Sequence, residues 1–212
     1  MGKKIIEIIK LIFKGVLEII YPQNIGCIVC GDIEGERLCS SCINKISKCK
    51  YYELCIGYYG SVLKELILKF KYKKDFEAGE ILIDLIDDKL KLINGEYYFT
   101  YIPISKKSFS ERGFNQCEYI ANELAFRKGT KSIDTIKRAK EIKEQKTLNK
   151  DERKTNVIGA FDVIDPNQIK DRSFILIDDV VTTGATLSEG VRVLKKYGAK
   201  EIKILTLAKS HI

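Results

Sequence analysis

Apolar positions recur along this chain with a period that changes from segment to segment. Over residues 61–70, Val62, Leu63, Leu66, Ile67 and Phe70 fall at helical spacing and predict one buried helical face. Residues 76–93 continue as a second helix, with Ile81, Leu82, Leu85 and Ile86 turned inward. Residues 97–104 form a β-type run containing Pro103, and Asn115 is placed to cap a helix that reaches Phe126. Residues 129–160 are polar and basic, with short strand-like pieces near 133–138 and 157–163. Phe174, Ile175, Leu176 and Ile177 make a continuous apolar run, the mark of a strand buried on both faces of a parallel sheet. Thr186-Leu187-Ser188-Glu189 has capping-box spacing and predicts a helix ending near Tyr197, with Gly198 just past its end. Residues 201–208 return to a strand pattern through Ile202, Ile204 and Leu205. Strand, loop, helix and strand in that order predict a right-handed βαβ unit, and hence an α/β fold: a parallel sheet flanked by helices.

The N-terminal part reads differently. Residues 3–20 are strongly apolar, but Glu7, Lys10, Lys14 and Glu18 recur every three or four residues and draw a polar stripe along a helix. A bilayer core accepts such charges only at high cost, and no small-residue cleavage site follows. The segment is expected to be an amphipathic helix docked on its own protein, with attachment to a membrane surface as the alternative. No integral membrane segment is expected. In the absence of an export signal the protein is expected in the cytoplasm, where its seven cysteines would not form a disulfide framework. Residues 1–55, cysteine-rich in their second half, are expected to form a small module ahead of a larger domain at 56–212.

Composition sharpens this picture in two places. The formal net charge of +8 favours phosphate-rich partners, although a genome that favours Lys and Ile throughout explains it equally well. The single histidine, His211, lies next to the C-terminal residue, which argues against histidine general-base catalysis.

The most informative string is Asp178-Asp179-Val180-Val181-Thr182-Thr183-Gly184-Ala185-Thr186. It follows the apolar strand, and the carboxyl ends of strands are where open α/β sheets place ligands. The loop 182–186 can turn backbone N–H groups toward one phosphate. Gly184 permits the tight turn, and the following helix N-terminus adds positive potential. Thr182, Thr183 and Thr186 add hydroxyl donors. Asp178 and Asp179 alternate in direction, so at least one can accept hydrogen bonds from a vicinal diol such as ribose. The string has neither a P-loop pattern nor GxGxxG.

The segment ILIDDVVTTGAT resembles the phosphoribosyl-pyrophosphate motif of type I phosphoribosyltransferases. More of the chain resembles the ComF family of competence-associated proteins: a paired CxxC; YIPISKKSFSERGFNQ at 101–116; a basic stretch with Gln145, Arg153 and Asn156; and Gly159-Ala160-Phe161. The resemblance implies phosphoribosyl pyrophosphate as ligand, with Asp178 and Asp179 on its ribose hydroxyls, directly or with Mg²⁺. It implies the 5′-phosphate on 182–186, and Ser105, Lys106 and Lys107 toward the pyrophosphate. Arg112, in the Arg112-Gly113-Phe114-Asn115-Gln116 segment, becomes a candidate phosphate ligand. Residues 137–154 hold eight Lys or Arg against four Asp or Glu, a net +4. By the same resemblance they form a hood over the leaving pyrophosphate, with Lys137, Arg138, Lys140 and Arg153 as its candidate ligands.

Cys27-x2-Cys30-x8-Cys39-x2-Cys42 offers four thiolates in two pairs, the donor set of a closed structural zinc site. Gly31 suits the turn after the first pair. An iron–sulfur cluster or redox-active thiols are the alternatives. Cys49, Cys55 and Cys117 read as small buried residues or idle thiols. Three functions remain open at this point. The first is an enzyme that transfers phosphoribose to an unidentified acceptor with release of pyrophosphate. The second is a phosphoribosyl-pyrophosphate- or single-stranded-DNA-binding module working with competence proteins in DNA uptake, with residues 69–74 supplying cations and aromatics. The third is an adaptor without catalysis.

Overall fold

A computed structural model describes residues 26–33, 36–49, 54–91, 93–140 and 157–210. The expected helix at 3–20, and Gln145, Arg153 and Asn156 of the basic stretch, lie outside them. The chain divides into two units, residues 1–43 and 44–212. Cys55, placed at the end of the small module by its sequence, lies in a strand of the larger unit.

In chain order the described elements are α1 (Ser40–Asn44), β1 (Leu54–Tyr58), α2 (Ser61–Lys73), α3 (Phe76–Leu90), β2 (Tyr98–Tyr101), α4 (Lys106–Arg112), α5 (Gln116–Lys128), β3 (Ile136–Arg138), β4 (Phe161–Val163), a 3₁₀ turn (Pro166–Gln168), β5 (Ser173–Val181), α6 (Ala185–Lys196) and β6 (Glu201–Lys209). Four strands form one sheet in the order β1-β6-β5-β2, and all three pairings are parallel. β3 and β4 form a separate antiparallel ribbon, with Lys137 opposite Asp162 and Arg138 opposite Phe161.

β5 is central because its apolar run can be buried on both faces. Phe174 and Leu176 pack in one cluster with Leu187, Val193 and Leu194 of α6 and with Ile136, Phe161 and Val163 of the ribbon. By strand alternation Ile175 and Ile177 face the other side, toward the layer that holds α5. Gly190 lets α6 approach β5 closely: a Cβ there would stand 2.9 Å from Ile102 Cδ1 and 3.1 Å from Leu176 Cδ2.

The second layer follows the expected helical faces. α2 buries Val62, Leu63, Leu66, Ile67 and Phe70. α3 buries Ile81, Leu82 and Ile86 as expected, but Ile83 is fully buried whereas Leu85 is only half-buried. The helix is inserted deeply enough that its inward face is wider than the simple stripe. Asp75 caps α3 by accepting from Ala78 N, and Asn115 caps α5 by accepting from Cys117 N.

The capping box expected at Thr186–Glu189 does not form. The N-cap is Gly184, two residues earlier and in the left-handed region (φ 77°), with no side-chain cap. Glu189 is buried and instead accepts the Gly159 N–H at 2.7 Å while pairing with Arg192. The neighbouring turn out-competes the cap for that carboxylate. Among the described residues no helix is long and apolar enough to cross a membrane.

Candidate functional site

The acidic pair stands where β5 emerges from the apolar core. Parallel pairing extends to Val181 opposite Lys209, and Ile102 N–H donates to Ile177 O at 3.0 Å, so the backbone is fixed up to the carboxylates. Thr206 on β6, fully buried, donates its hydroxyl to Asp179 O at 3.2 Å. The strand end is therefore rigid, and the side chains of Asp178 and Asp179 project from a fixed base.

Asp179 is the node of the site. Its Oδ2 accepts from Lys71 Nζ at 2.5 Å and from Gln116 Nε2 at 2.6 Å, and its Oδ1 accepts the Val180 N–H at 2.6 Å. Gln116 is itself held, because its Oε1 accepts from Arg112 Nη1 at 3.1 Å. The Arg112 guanidinium lies 5.3 Å from the Tyr72 ring centroid. Its Nε is buried and has no hydrogen-bond partner among the described residues. Asn115 fixes the start of this segment by donating to Ile102 O at 3.2 Å.

The two carboxylates differ electrically. Burial and the adjacent Asp179 charge push Asp178 up to about 7, although the Asp179 N–H that it accepts pulls the other way. Burial acts on Asp179 in the same sense, but the Lys71 ammonium outweighs it, with the Val180 and Gln116 donors, and Asp179 is held below the usual carboxylate range. Burial lowers Lys71, yet Asp179 raises it further, so the ammonium stays charged. Cys117 sits fully buried beneath both aspartates, its thiol pushed far up by burial and by their charges.

The loop after the pair is accessible. Thr182 is exposed, and Thr183, Gly184, Ala185 and Thr186 are half-buried. Thr183 Oγ1 accepts from Ala185 N at 3.4 Å and helps to hold the turn. Val180 is half-buried, whereas the Val181 side chain belongs to the core cluster, which leaves only its backbone to face the loop.

The other expected positions are spread more widely. Ser105 caps α4, accepting the Ser108 N–H at 3.0 Å, and Lys106 and Lys107 lie exposed on the first turn. Arg138 donates to Pro103 O at 3.3 Å and lies over the Phe161 ring, so it braces the ribbon against the end of β2. Lys137 and Lys140 are exposed on the ribbon side. Arg153 is outside the described residues. Within 69–74 the run divides: Phe70 is buried, Lys69 pairs with Glu65, Tyr72 and Lys73 are exposed, and Lys71 turns into the site. Sequence reasoning placed Lys71 on a possible nucleic-acid face and missed its carboxylate partner, which is 108 residues away.

Asp179 Oδ2 already accepts from Lys71 and Gln116, while Oδ1 keeps one acceptor position beside the Val180 N–H, room for a ligand hydroxyl. A Mg²⁺ ion on this carboxylate would have to sit beside the Lys71 ammonium, so the arrangement does not favour direct coordination. The cysteines do fit a metal. The sulfurs of Cys27, Cys30, Cys39 and Cys42 all lie within 4.8 Å of one another, and Cys30 and Cys39 are 3.6 Å apart. Tetrahedral Zn–S bonds of ~2.3 Å put sulfurs about 3.8 Å apart. The knuckle closes through Gly31 N–H to Cys27 O at 2.8 Å, with Gly31 at φ 74°. Burial raises the Cys27 thiol, but N–H groups of Cys30, Cys39 and Val29 aimed at its sulfur outweigh this and bring it to about 6. Outside the cluster, Cys55 is completely buried in β1 and its thiol is pushed up to about 12 by burial.

Comparison with known proteins agrees with this layout. A family model described as a phosphoribosyl transferase domain matches residues 112–212. The chain is 26% identical over 206 residues to competence protein ComFC of Streptococcus pneumoniae, covering 88% of this chain and 90% of that protein. It is 30% identical over 163 residues to competence protein F of Haemophilus influenzae, covering 73% and 71%. Among solved structures, adenine phosphoribosyltransferase from Leishmania tarentolae matches at a TM-score of 0.41 and 14% identity, over 65% of this chain and 73% of that one. The chain belongs to the ComF family of competence-associated proteins, with a phosphoribosyltransferase-like fold.

Proposed function

We propose that the site binds phosphoribosyl pyrophosphate, as its magnesium complex, and transfers the phosphoribosyl group to an acceptor with release of pyrophosphate. The observation that carries this reading is the acidic pair on a rigid strand end, opening directly into a phosphate-sized loop. The turn at Gly184 begins a twelve-residue helix, whose first N–H groups and positive end suit the 5′-phosphate. Asp179 faces the ribose hydroxyls, and Arg112, linked to Asp179 through Gln116, adds positive charge for the phosphate oxygens.

In the transfer, the bond from the anomeric carbon to the pyrophosphate oxygen breaks as the bond to the acceptor forms. Positive charge builds on the ribose, and the ionised Asp179 faces it from a fixed position. Mg²⁺ enters as the counter-ion of the pyrophosphate. Basic residues of the stretch 137–154, including Arg138 and Arg153, together with Ser105, Lys106 and Lys107, would face the departing charge. The cysteine cluster would hold a structural zinc, leaving no open ligand position for chemistry. The reading places the protein in the cytoplasm, where thiols stay reduced.

The test is calorimetric binding of phosphoribosyl pyrophosphate to zinc-loaded protein, with and without Mg²⁺, beside an Asp178→Asn/Asp179→Asn variant. Binding that the variant loses supports the site and justifies screening acceptors for pyrophosphate release. No binding by the folded wild type removes the transferase reading.

A second reading, a module that binds single-stranded DNA alongside other competence proteins, is favoured by one observation. Tyr72 is 58% exposed with the Arg112 guanidinium over its ring and Lys73 and Lys74 exposed beside it, a stacking face edged with cations. A steep loss of oligonucleotide affinity with salt, together with loss on Tyr72→Ala, would support it. Affinity that is flat with salt would remove it.

A further inference from the structure

One cation of the chain, Lys71, meets the acidic pair at the end of β5. Lys71, near the end of α2, and Gln116, at the start of α5, both donate to Asp179 Oδ2, while Val180 N–H donates to Oδ1 and leaves it one acceptor position for a ligand hydroxyl. The Lys71 and Asp179 side chains are only 17% and 13% exposed, so mobile salt screens this pair weakly. Arg112 stands behind, bonded to Gln116 and stacked over Tyr72, the residue next to Lys71 on α2. The Lys71 ammonium offsets the charge of Asp179, so this carboxylate presents no excess negative charge to a divalent ion. A metal ligated by Asp179 would also have to sit beside an ammonium tethered to the protein.

We propose that Lys71 is the resident cation of this site: with Gln116 it fixes Asp179 for the ribose hydroxyls and takes the place a divalent metal would hold on that carboxylate. The metal then arrives only on the pyrophosphate of the ligand. Lys71 is a positioning residue, since it acts on the sugar through Asp179. The inference rests on the reading of the site as one for a phosphoribosyl ligand, and it predicts a split between two ligands. Ribose 5-phosphate, which has the ribose and the 5′-phosphate but no pyrophosphate, needs no metal. Phosphoribosyl pyrophosphate does.

The experiment is calorimetric titration of zinc-loaded wild type, Lys71→Met and Lys71→Arg with both ligands, in magnesium-containing and magnesium-free buffer. Thermal denaturation establishes that each variant is folded. Wild type should bind ribose 5-phosphate equally in both buffers, within about twofold, and phosphoribosyl pyrophosphate more tightly with Mg²⁺. Lys71→Met should bind ribose 5-phosphate about tenfold more weakly without Mg²⁺ and recover with it. Lys71→Arg should behave as wild type. A purely structural role for Lys71 would weaken binding equally in both buffers. Such a result, or a wild type that needs Mg²⁺ for ribose 5-phosphate, overturns the assignment and leaves the sugar-phosphate site standing. Folded wild type that binds neither ligand in either buffer overturns the underlying reading as well. If Lys71→Met does not fold, the magnesium dependence of wild type and Lys71→Arg decides.

Discussion

Lys71 Nζ and Asp179 Oδ2 lie 2.5 Å apart, although 108 residues separate them in the chain. The contact ties the end of α2 to the end of β5, and neither partner has free access to water. Removing one member of such a pair strands the other charge in a poorly hydrated place, at a cost of about 3–5 kcal/mol for a fully buried pair. Lys71→Met should therefore destabilise the fold by about 2–3 kcal/mol, the lower figure reflecting residual solvent contact. Lys71→Met/Asp179→Asn should recover much of that loss, because the amide that replaces the carboxylate carries no charge to strand. Urea unfolding of the two single variants and the double variant measures the coupling, and strictly additive losses would show that the pair is not an energetic unit.

The cysteine cluster carries a separate prediction. A thiolate shell of four donors holds about one zinc per chain, and loss of one donor weakens it severely. Cys27→Ser or Cys42→Ser should abolish stoichiometric zinc in purified protein, measured by elemental analysis, and expose residues 26–43 to proteolysis. Cys49→Ser should keep its zinc, since Cys49 is not among the four clustered thiols. Full zinc in Cys42→Ser would exclude the four-thiolate shell.

Much of this was legible in the sequence for a local reason. The apolar run at 174–177, the helical face of α2 and the Asn115 cap of α5 each depend on residues within a few positions of one another. So does the spacing of the cysteines. What the sequence did not show depends on distant partners. Lys71 sits in a basic run that looks uniformly solvated, and only the fold turns it onto a carboxylate of another element. Glu189 has the spacing of a capping residue, but Gly159, brought close by the ribbon, claims it. Val181 lies inside the site's own string, yet strand alternation points its side chain into the core.

Gly190 is a position where volume alone sets the outcome. In an exposed helix, alanine would be favoured over glycine by about 1 kcal/mol. Here the added carbon meets Ile102 Cδ1 at 2.9 Å and Leu176 Cδ2 at 3.1 Å, and both neighbours belong to the packed cluster. Overpacking of this kind costs about 1–3 kcal/mol. Gly190→Ala should come out close to neutral, whereas Gly190→Val, which is bulkier and a poorer helix former, should lower the urea midpoint clearly. An unchanged midpoint in Gly190→Val would mean that α6 moves off the sheet without penalty. Under the proposed function, the loop 182–186 should then lose affinity for phosphate, because the start of α6 belongs to that loop.

Asp178 supplies a pH dependence whose sign runs against the usual carboxylate pattern. Burial and the Asp179 charge hold it at about 7 in the folded protein, whereas an unfolded aspartate titrates near ~3.9. Between these values the folded state binds a proton that the unfolded state has released. The stabilising contribution is therefore complete at pH values below the unfolded pKa and is lost as pH rises through about 7. Asp178→Asn keeps an oxygen to accept the Asp179 N–H, which Asp178 accepts at 2.9 Å, but carries no titrating proton. Its melting temperature minus that of wild type should be more positive at pH 8 than at pH 5, by a few degrees in scanning calorimetry. Taking the difference removes the other titrating groups, which both proteins share. A difference that is flat with pH, or that runs in the opposite direction, would mean that Asp178 is ionised throughout this range in the folded protein. The lone proton of the acidic pair would then be unavailable at neutral pH, and both carboxylates would face the ribose as hydrogen-bond acceptors.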